Sequence, residues 1–206
     1  MSRRLSLFVL VATLAVSFPV AAIAASEPTL LGDGPVGEFV IVFPQDPEAT
    51  WFLDTFGASR ADGHRHIGID LHAPKGSPVY SLAAGVVTRI STGPRSGAYI
   101  VVDHGGGWTS WYMHLDTDEP GTDNGRGGLA TAIAAGIAPG VFVDAGQLIG
   151  YVGDSGNAEH TIPHTHLELH RNDRAIDPYA MLVEAQERAL RGLWAERLSS
   201  LLPILL

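Results

Sequence analysis

At 206 residues, 46% of them hydrophobic, the chain has material for one domain with a substantial core plus appendages. Its formal charge of −9 gives no electrostatic footprint for nucleic acid. With no cysteine in the sequence, disulfides, thiolate metal sites and a lipidated cysteine anchor are excluded, so any metal must be held by His, Asp or Glu.

The first segment, "MSRRLSLFVLVATLAVSFPVAAIAAS", has two arginines, an apolar run and a small-residue exit, and reads as a signal peptide over 1–25. The rival reading is an uncleaved anchor, since the run is just long enough to span a bilayer. Cleavage would remove Arg3 and Arg4 and no acid, taking the formal charge from −9 to −11. Residues 26–37 follow as a Gly/Pro linker, and "EFVIVFP" at 38–44 predicts a first strand. Then come short β-branched and aromatic runs between Gly and Pro breaks: "PVYSL", "GVVTRIS", "AYIVVDH", "WTSWYMHL", "QLIGYVG" and "HTHLELH". Such spacing predicts a mainly β domain over 38–183, an antiparallel sandwich or barrel-like sheet. Residues 116–140 interrupt it as a long acidic, Gly-rich insertion, and loops of that length are often functional. A C-terminal amphipathic α-helix is placed at 184–206, with Leu190, Leu193, Trp194 and Leu201 at helical spacing, packed on the domain.

All nine histidines fall between 64 and 170, which makes a His/carboxylate metal site the leading idea. In "HRHIGID", His66 and Asp70 would stand about 13 Å apart on an extended strand, too far for one metal. A bend at Gly68 would bring them together; the bland alternative is a polar strand edge. In "HTHLELH", His164, His166 and Glu168 leave one face of a strand, either as a site with Glu168 orienting a ligand or as a solvated surface. His114 in "SWYMHL" would by itself read as a packed histidine. Three patterns fail: Ser155 in "GDSG" reads as a turn residue, the His160/His164 spacing lacks its glutamate, and Pro120 breaks the "DTDEPG" resemblance to a calcium loop.

Taken in order, "HIGIDLHAPKGSPVY", "VVDHGGGWTSWYMHL" and "AGQLIGYVGDSGNAEHTIPHTHLELH" resemble the lysostaphin-type (LytM-type) zinc metallopeptidases, secreted enzymes that cut peptide bonds in peptidoglycan. The likeness runs from about residue 56 to 182 and rests on three motifs in sequence. It implies His66, Asp70 and His166 as ligands of one Zn2+ per chain, and His114 and His164 as a catalytic pair of unassigned order. His72 departs from the pattern, standing where a small residue is common. Two neutral imidazoles and a carboxylate leave Zn2+ a net +1 charge and an open position for water. The implied partner is peptidoglycan peptide, cut by a monomer in the periplasm, at the cell wall or outside the cell, with no nucleic acid and no membrane contact after leader cleavage. The competing reading within the same fold is a non-catalytic wall-binding or amidase-activating module.

Overall fold

A computed structural model describes residues 39–60 and 63–201. The leader and linker expected over 1–37 lie outside the described residues. Seven strands form one antiparallel sheet: β1 (Ile69–His72), β3 (Gly85–Gly93), β4 (Gly97–Gly105), β5 (Trp108–Leu115), β6 (Phe142–Val143), β8 (His164–Arg171) and β9 (Arg174–Ile176). Their order is β1-β8-β5-β4-β3-β6, with β9 also paired to β8. A separate two-stranded sheet joins β2 (Pro78–Tyr80) to β7 (Leu148–Tyr151). The mainly antiparallel β architecture with a C-terminal helix is therefore as the sequence predicts.

Period-two alternation sorts the large sheet into two faces. Ile69 and Leu71, Ile100 and Val102, Tyr112, and Leu167 and Leu169 are buried on one face and build the core. Asp70, His164, His166, Glu168, Trp111 and Tyr99 alternate with them onto the opposite face. The core face carries a closed polar chain at Tyr112, whose hydroxyl accepts from the Leu82 N–H at 2.8 Å and lies 3.0 Å from Ser110 Oγ. Ser110 Oγ is in turn 2.8 Å from His104 Nε2, and the other ring nitrogen of His104 meets the Ala84 carbonyl. His104 thus serves the core and stands apart from the other imidazoles.

Three expectations need correction. Residues 39–43 are extended, with Phe39, Ile41 and Phe43 buried, but they form no strand, because Val42 N–H to Leu82 is the main-chain bond that ties them to the sheet region. The C-terminal helix α2 (Tyr179–Leu201), following the four-residue helix α1 (Leu129–Ala132), begins five residues earlier than 184. It packs through Leu182 and Ala185 near its start, whereas Trp194 is 57% exposed. Polar ties to the segment before β1 hold it there: Gln186 donates to the carbonyls of Pro47 and Thr50, and Arg188 to that of Ile41. The insertion is pinned to the domain, since Lys75 meets Asp118 (2.7 Å), Asp123 (2.5 Å) and Asp154 (2.7 Å). That ammonium already fills the centre of the acidic cluster.

Replacing Tyr112 with Phe orphans the buried Leu82 N–H and one partner of Ser110. It is expected to cost about 1–3 kcal/mol, read as a lower urea midpoint at unchanged slope.

Candidate metal centre

The site is made by the register of β1 on β8, which sets Asp70 opposite His166 and His72 opposite His164. Directly opposed residues share a face, so Asp70 and His166 project together. His66 lies just before the strand, and the chain bends at Gly68 as the sequence suggested. No larger residue fits there: a Cβ on Gly68 would stand 2.4 Å from the Leu167 carbonyl oxygen and 2.8 Å from His166 Nε2. The bend carries His66 back over β8, and Nε2 of His66, Nδ1 of His166 and Oδ1 of Asp70 meet at 2.9, 2.9 and 3.1 Å from one another.

Hydrogen bonds on the far side of each ring decide what those three atoms are. Nδ1 of His66 donates to the Thr55 carbonyl at 3.0 Å, so Nε2 of the neutral ring presents a lone pair. Nε2 of His166 donates to Glu168 Oε1 at 3.1 Å, so its Nδ1 does likewise. Burial disfavours ionised Glu168, but hydrogen bonds from His166 and His170 outweigh it and bring the carboxyl down to about 2. Burial also works against ionised Asp70, yet bonds from His166, His66 and Arg60 hold it well below the usual carboxylate range. Three electron-pair donors about 3 Å apart repel unless a cation lies between them. Ligand atoms of a tetrahedral zinc at 2.0–2.1 Å stand about 3.3 Å from each other, close to the observed spacing. Consistent with a spot that draws positive charge, burial lowers the proton affinity of His166 but its bonds to Asp70 and Glu168 raise it above the ordinary histidine value. Donor chemistry and geometry together fit a metal of the zinc type.

His114 and His164 flank this point. His114 has a left-handed backbone, φ 60°, at an irregularity in the β4–β5 pairing. Tyr112 and Leu115 are consequently both buried although three apart, and His114 turns to the ligand face. Its ring lies 5.1 Å from that of His164 and 6.0 Å from that of His166. Nδ1 of His114 donates to the Ser155 carbonyl (2.9 Å) and Nδ1 of His164 to the Ile162 carbonyl (2.8 Å), which leaves both Nε2 atoms as acceptors in the neutral rings. Burial, with His164 and His166 close by, pushes His114 down to about 4.

A profile of Peptidase family M23 matches residues 64–126. The chain is 31% identical over 130 residues to the peptidoglycan DD-endopeptidase ShyA of Vibrio cholerae, covering 60% of this chain and 26% of that protein. Among solved structures, a zinc-containing peptidase from Vibrio cholerae superposes with a TM-score of 0.53 at 26% identity, covering 66% of this chain and 38% of that one.

The chain contains a peptidase family M23 domain.

A variant catalytic domain of the prophage-encoded M23 protein EnpA from Enterococcus faecalis aligns over 69% of this chain and 96% of its own, with a TM-score of 0.51 at 26% identity. The chain spans about a quarter of the length of these peptidoglycan DD-endopeptidase and carboxypeptidase/endopeptidase relatives.

Within this M23 domain the structure brings together all six residues singled out from sequence: His66, Asp70, His166, His114, His164 and Glu168. His160 is exposed at the rim. His170 holds Glu168 Oε2 at 2.7 Å and extends the hydrogen-bonded chain from His166. Three supporting roles went unseen in the sequence. Arg60 donates to Asp70 Oδ2 at 2.6 Å, leaving Oδ1 to face the two imidazoles. Ser155, no nucleophile, has its Oγ committed to Ala98 N–H and the Leu115 carbonyl, and thereby fixes the carbonyl that orients His114. Trp51 stacks on His72 at 4.1 Å, and His72 lies 5.2 Å from His164. Each acts through backbone placement distant in sequence, which no local spacing announces.

Because Glu168 sets the tautomer of His166, Glu168→Gln is expected to weaken zinc capture by about 10- to 100-fold, measured by competition with a chromophoric chelator.

Proposed function

We propose that this M23 domain is a zinc metalloendopeptidase that hydrolyses peptide bonds in the stems or cross-bridges of peptidoglycan. The observation that carries the reading is the convergence of three atoms able to ligate a metal, from His66, Asp70 and His166, on one point beside two further imidazoles. Family membership and the DD-endopeptidase activity named for ShyA support the substrate class. Export to the periplasm, the cell wall or beyond belongs to the same proposal, supported by the leader-like composition of residues 1–25.

His66, Asp70 and His166 would hold one zinc ion, which when bound supplies Lewis acidity towards a water molecule and the scissile carbonyl. The remaining work falls to this chain's side chains. His114, neutral near pH 7 and with Nε2 free, accepts the proton from the attacking water or, in the reverse assignment, His164 does. The ring that has taken the proton at Nε2 then returns it to the departing amine, and the partner ring, when it carries a proton at Nε2, would hydrogen-bond the oxyanion. The Ser155 and Ile162 carbonyls keep both rings in the Nδ1–H tautomer, so neither must reorganise before accepting a proton at Nε2. Arg60 and Glu168 hold Asp70 and His166 in place from behind.

The test is digestion of purified peptidoglycans of several cross-link types, with and without chelator, and mass spectrometry of the new termini. New peptide termini that vanish with chelator are expected; binding without cleavage would favour the non-catalytic module. His66→Ala should lose stoichiometric zinc. His114→Ala should keep it while turnover falls by at least about 100-fold, and undiminished turnover would remove His114 from the mechanism.

A further inference from the structure

Residues 153–155 hold both imidazoles of the proposed catalytic pair. The Gly153 carbonyl accepts from the main-chain N–H of His164 at 3.0 Å, and the Ser155 carbonyl accepts from Nδ1 of His114 at 2.9 Å. Between them stands Asp154, only 5% exposed, whose Oδ1 lies 2.7 Å from the Lys75 ammonium. Neither the metal position nor the proton transfers use this acid directly.

A tight turn brings Lys75 to it. Ser77 N–H donates to the Pro74 carbonyl across Gly76, whose φ of 78° is the conformation the third position of such a turn requires. Two main-chain bonds hold the turn alongside the segment that carries Asp154: Gly76 N–H to the Val152 carbonyl (2.7 Å) and Val152 N–H to the Ser77 carbonyl (2.8 Å). The same ammonium also meets Asp118 and Asp123 of the insertion. Asp118 is fixed independently, because its Oδ1 accepts from Gly125 N–H at 2.6 Å and its own N–H donates to Asp116 Oδ1 at 3.0 Å.

Charge makes this arrangement depend on Lys75. Oxygen atoms of Asp118, Asp123 and Asp154 gather within 4.8 Å of one another, and Asp118 and Asp154 are buried. One positive charge holds three negative ones together; without it, two buried carboxylates face each other unneutralised. Since Asp118 has hydrogen bonds of its own, the repulsion falls on Asp154 and so on the carbonyls either side of it. Proton transfer is steeply sensitive to where each Nε2 lies, and a misplacement of about 1 Å costs on the order of 100-fold in rate.

We propose that Lys75 is a positioning residue for the pair: its ion pair with Asp154 fixes the Gly153 and Ser155 carbonyls, and through them the place of His164 and the tautomer of His114. This rests on the peptidase reading, since it is that reading which gives the two imidazoles their work. Asp123, the exposed member of the cluster, fastens the insertion and has no part in placing the pair.

Two readouts on the purified, zinc-loaded full chain test the proposal: kcat and KM on a soluble cross-linked peptidoglycan fragment, and imidazole tautomers by long-range 15N–1H correlation NMR. In the wild-type chain His114 and His164 should both appear with the proton on Nδ1. Lys75→Met should move His114 towards a mixture of tautomers and lower kcat by about 10- to 100-fold, with KM within about twofold and zinc still at one per chain. Lys75→Arg keeps the cation and should restore the tautomer and most of the turnover. Asp154→Ala removes the tie but leaves Lys75 paired with Asp118 and Asp123, so no buried charge is orphaned and the fold is kept. It should reproduce both changes whether or not Lys75→Met folds, whereas Asp123→Asn should match the wild type in both readouts. An unchanged His114 tautomer or undiminished turnover in Asp154→Ala, or an equal fall in Asp123→Asn, would overturn the positioning role. A tautomer change in a chain that cuts no peptidoglycan would instead count against the peptidase reading and leave the placement of the rings by Lys75 standing.

Discussion

The register of β1 on β8 is the constraint on which the site depends. A slip of one residue would send Asp70 into the core and bring Ile69 or Leu71 to the face of His166. The slip is prevented from both sides. Ile69, Leu71, Leu167 and Leu169 bury completely on the core face, and the approach of the two chains at Gly68 leaves no space for a Cβ. The same hydrophobic burial that holds the sheet together thus fixes where three donor atoms meet. The electrostatic cost of bringing lone pairs within about 3 Å is borne by packing and recovered when a cation binds.

Around that junction, side chains are oriented by groups that take no part in binding. The Thr55 carbonyl, Glu168, the Ser155 carbonyl and the Ile162 carbonyl each accept the proton of one imidazole on the side away from the site. Four rings are thereby held in one tautomer each, two presenting donor atoms to the metal position and two presenting acceptors beside it. His114 reaches this arrangement only because a left-handed residue interrupts the alternation of β5, a conformation that costs about 1–3 kcal/mol and is held by the bond from its own N–H to Ser96. Strain at this residue accompanies its departure from the core face, which regular alternation would have given it.

Much of this was legible in the sequence, and for identifiable reasons. Alternating runs such as "WTSWYMHL" and "HTHLELH" announced β5 and β8 because period-two patterning survives wherever one face is buried. "HIGID" announced a bend because a glycine between β-branched neighbours has little other use. Strands too short to show a period, β6 and β9, did not announce themselves, whereas the run at 39–43 announced a strand that does not form, because its apolar alternation arises from packing without a ladder. The helix was legible in kind but not in the face it buries: its later half carries the more striking apolar residues, yet the domain surface ends near Ala189 and leaves Trp194 outside. Arg60, Ser155 and Trp51 were invisible because their partners lie 10 or more residues away and are chosen by the fold.

Zinc captured by two imidazoles of different nitrogen, Nε2 of His66 and Nδ1 of His166, with one oxygen of Asp70, is the claim from which the remaining chemistry follows. X-ray absorption at the zinc edge on the purified chain tests it most directly. The account predicts one zinc per chain with two imidazole nitrogens and light oxygen neighbours at about 2.0–2.1 Å, losing one imidazole contribution in His66→Ala. A zinc content well below one per chain, or a spectrum unchanged by that substitution, would contradict it.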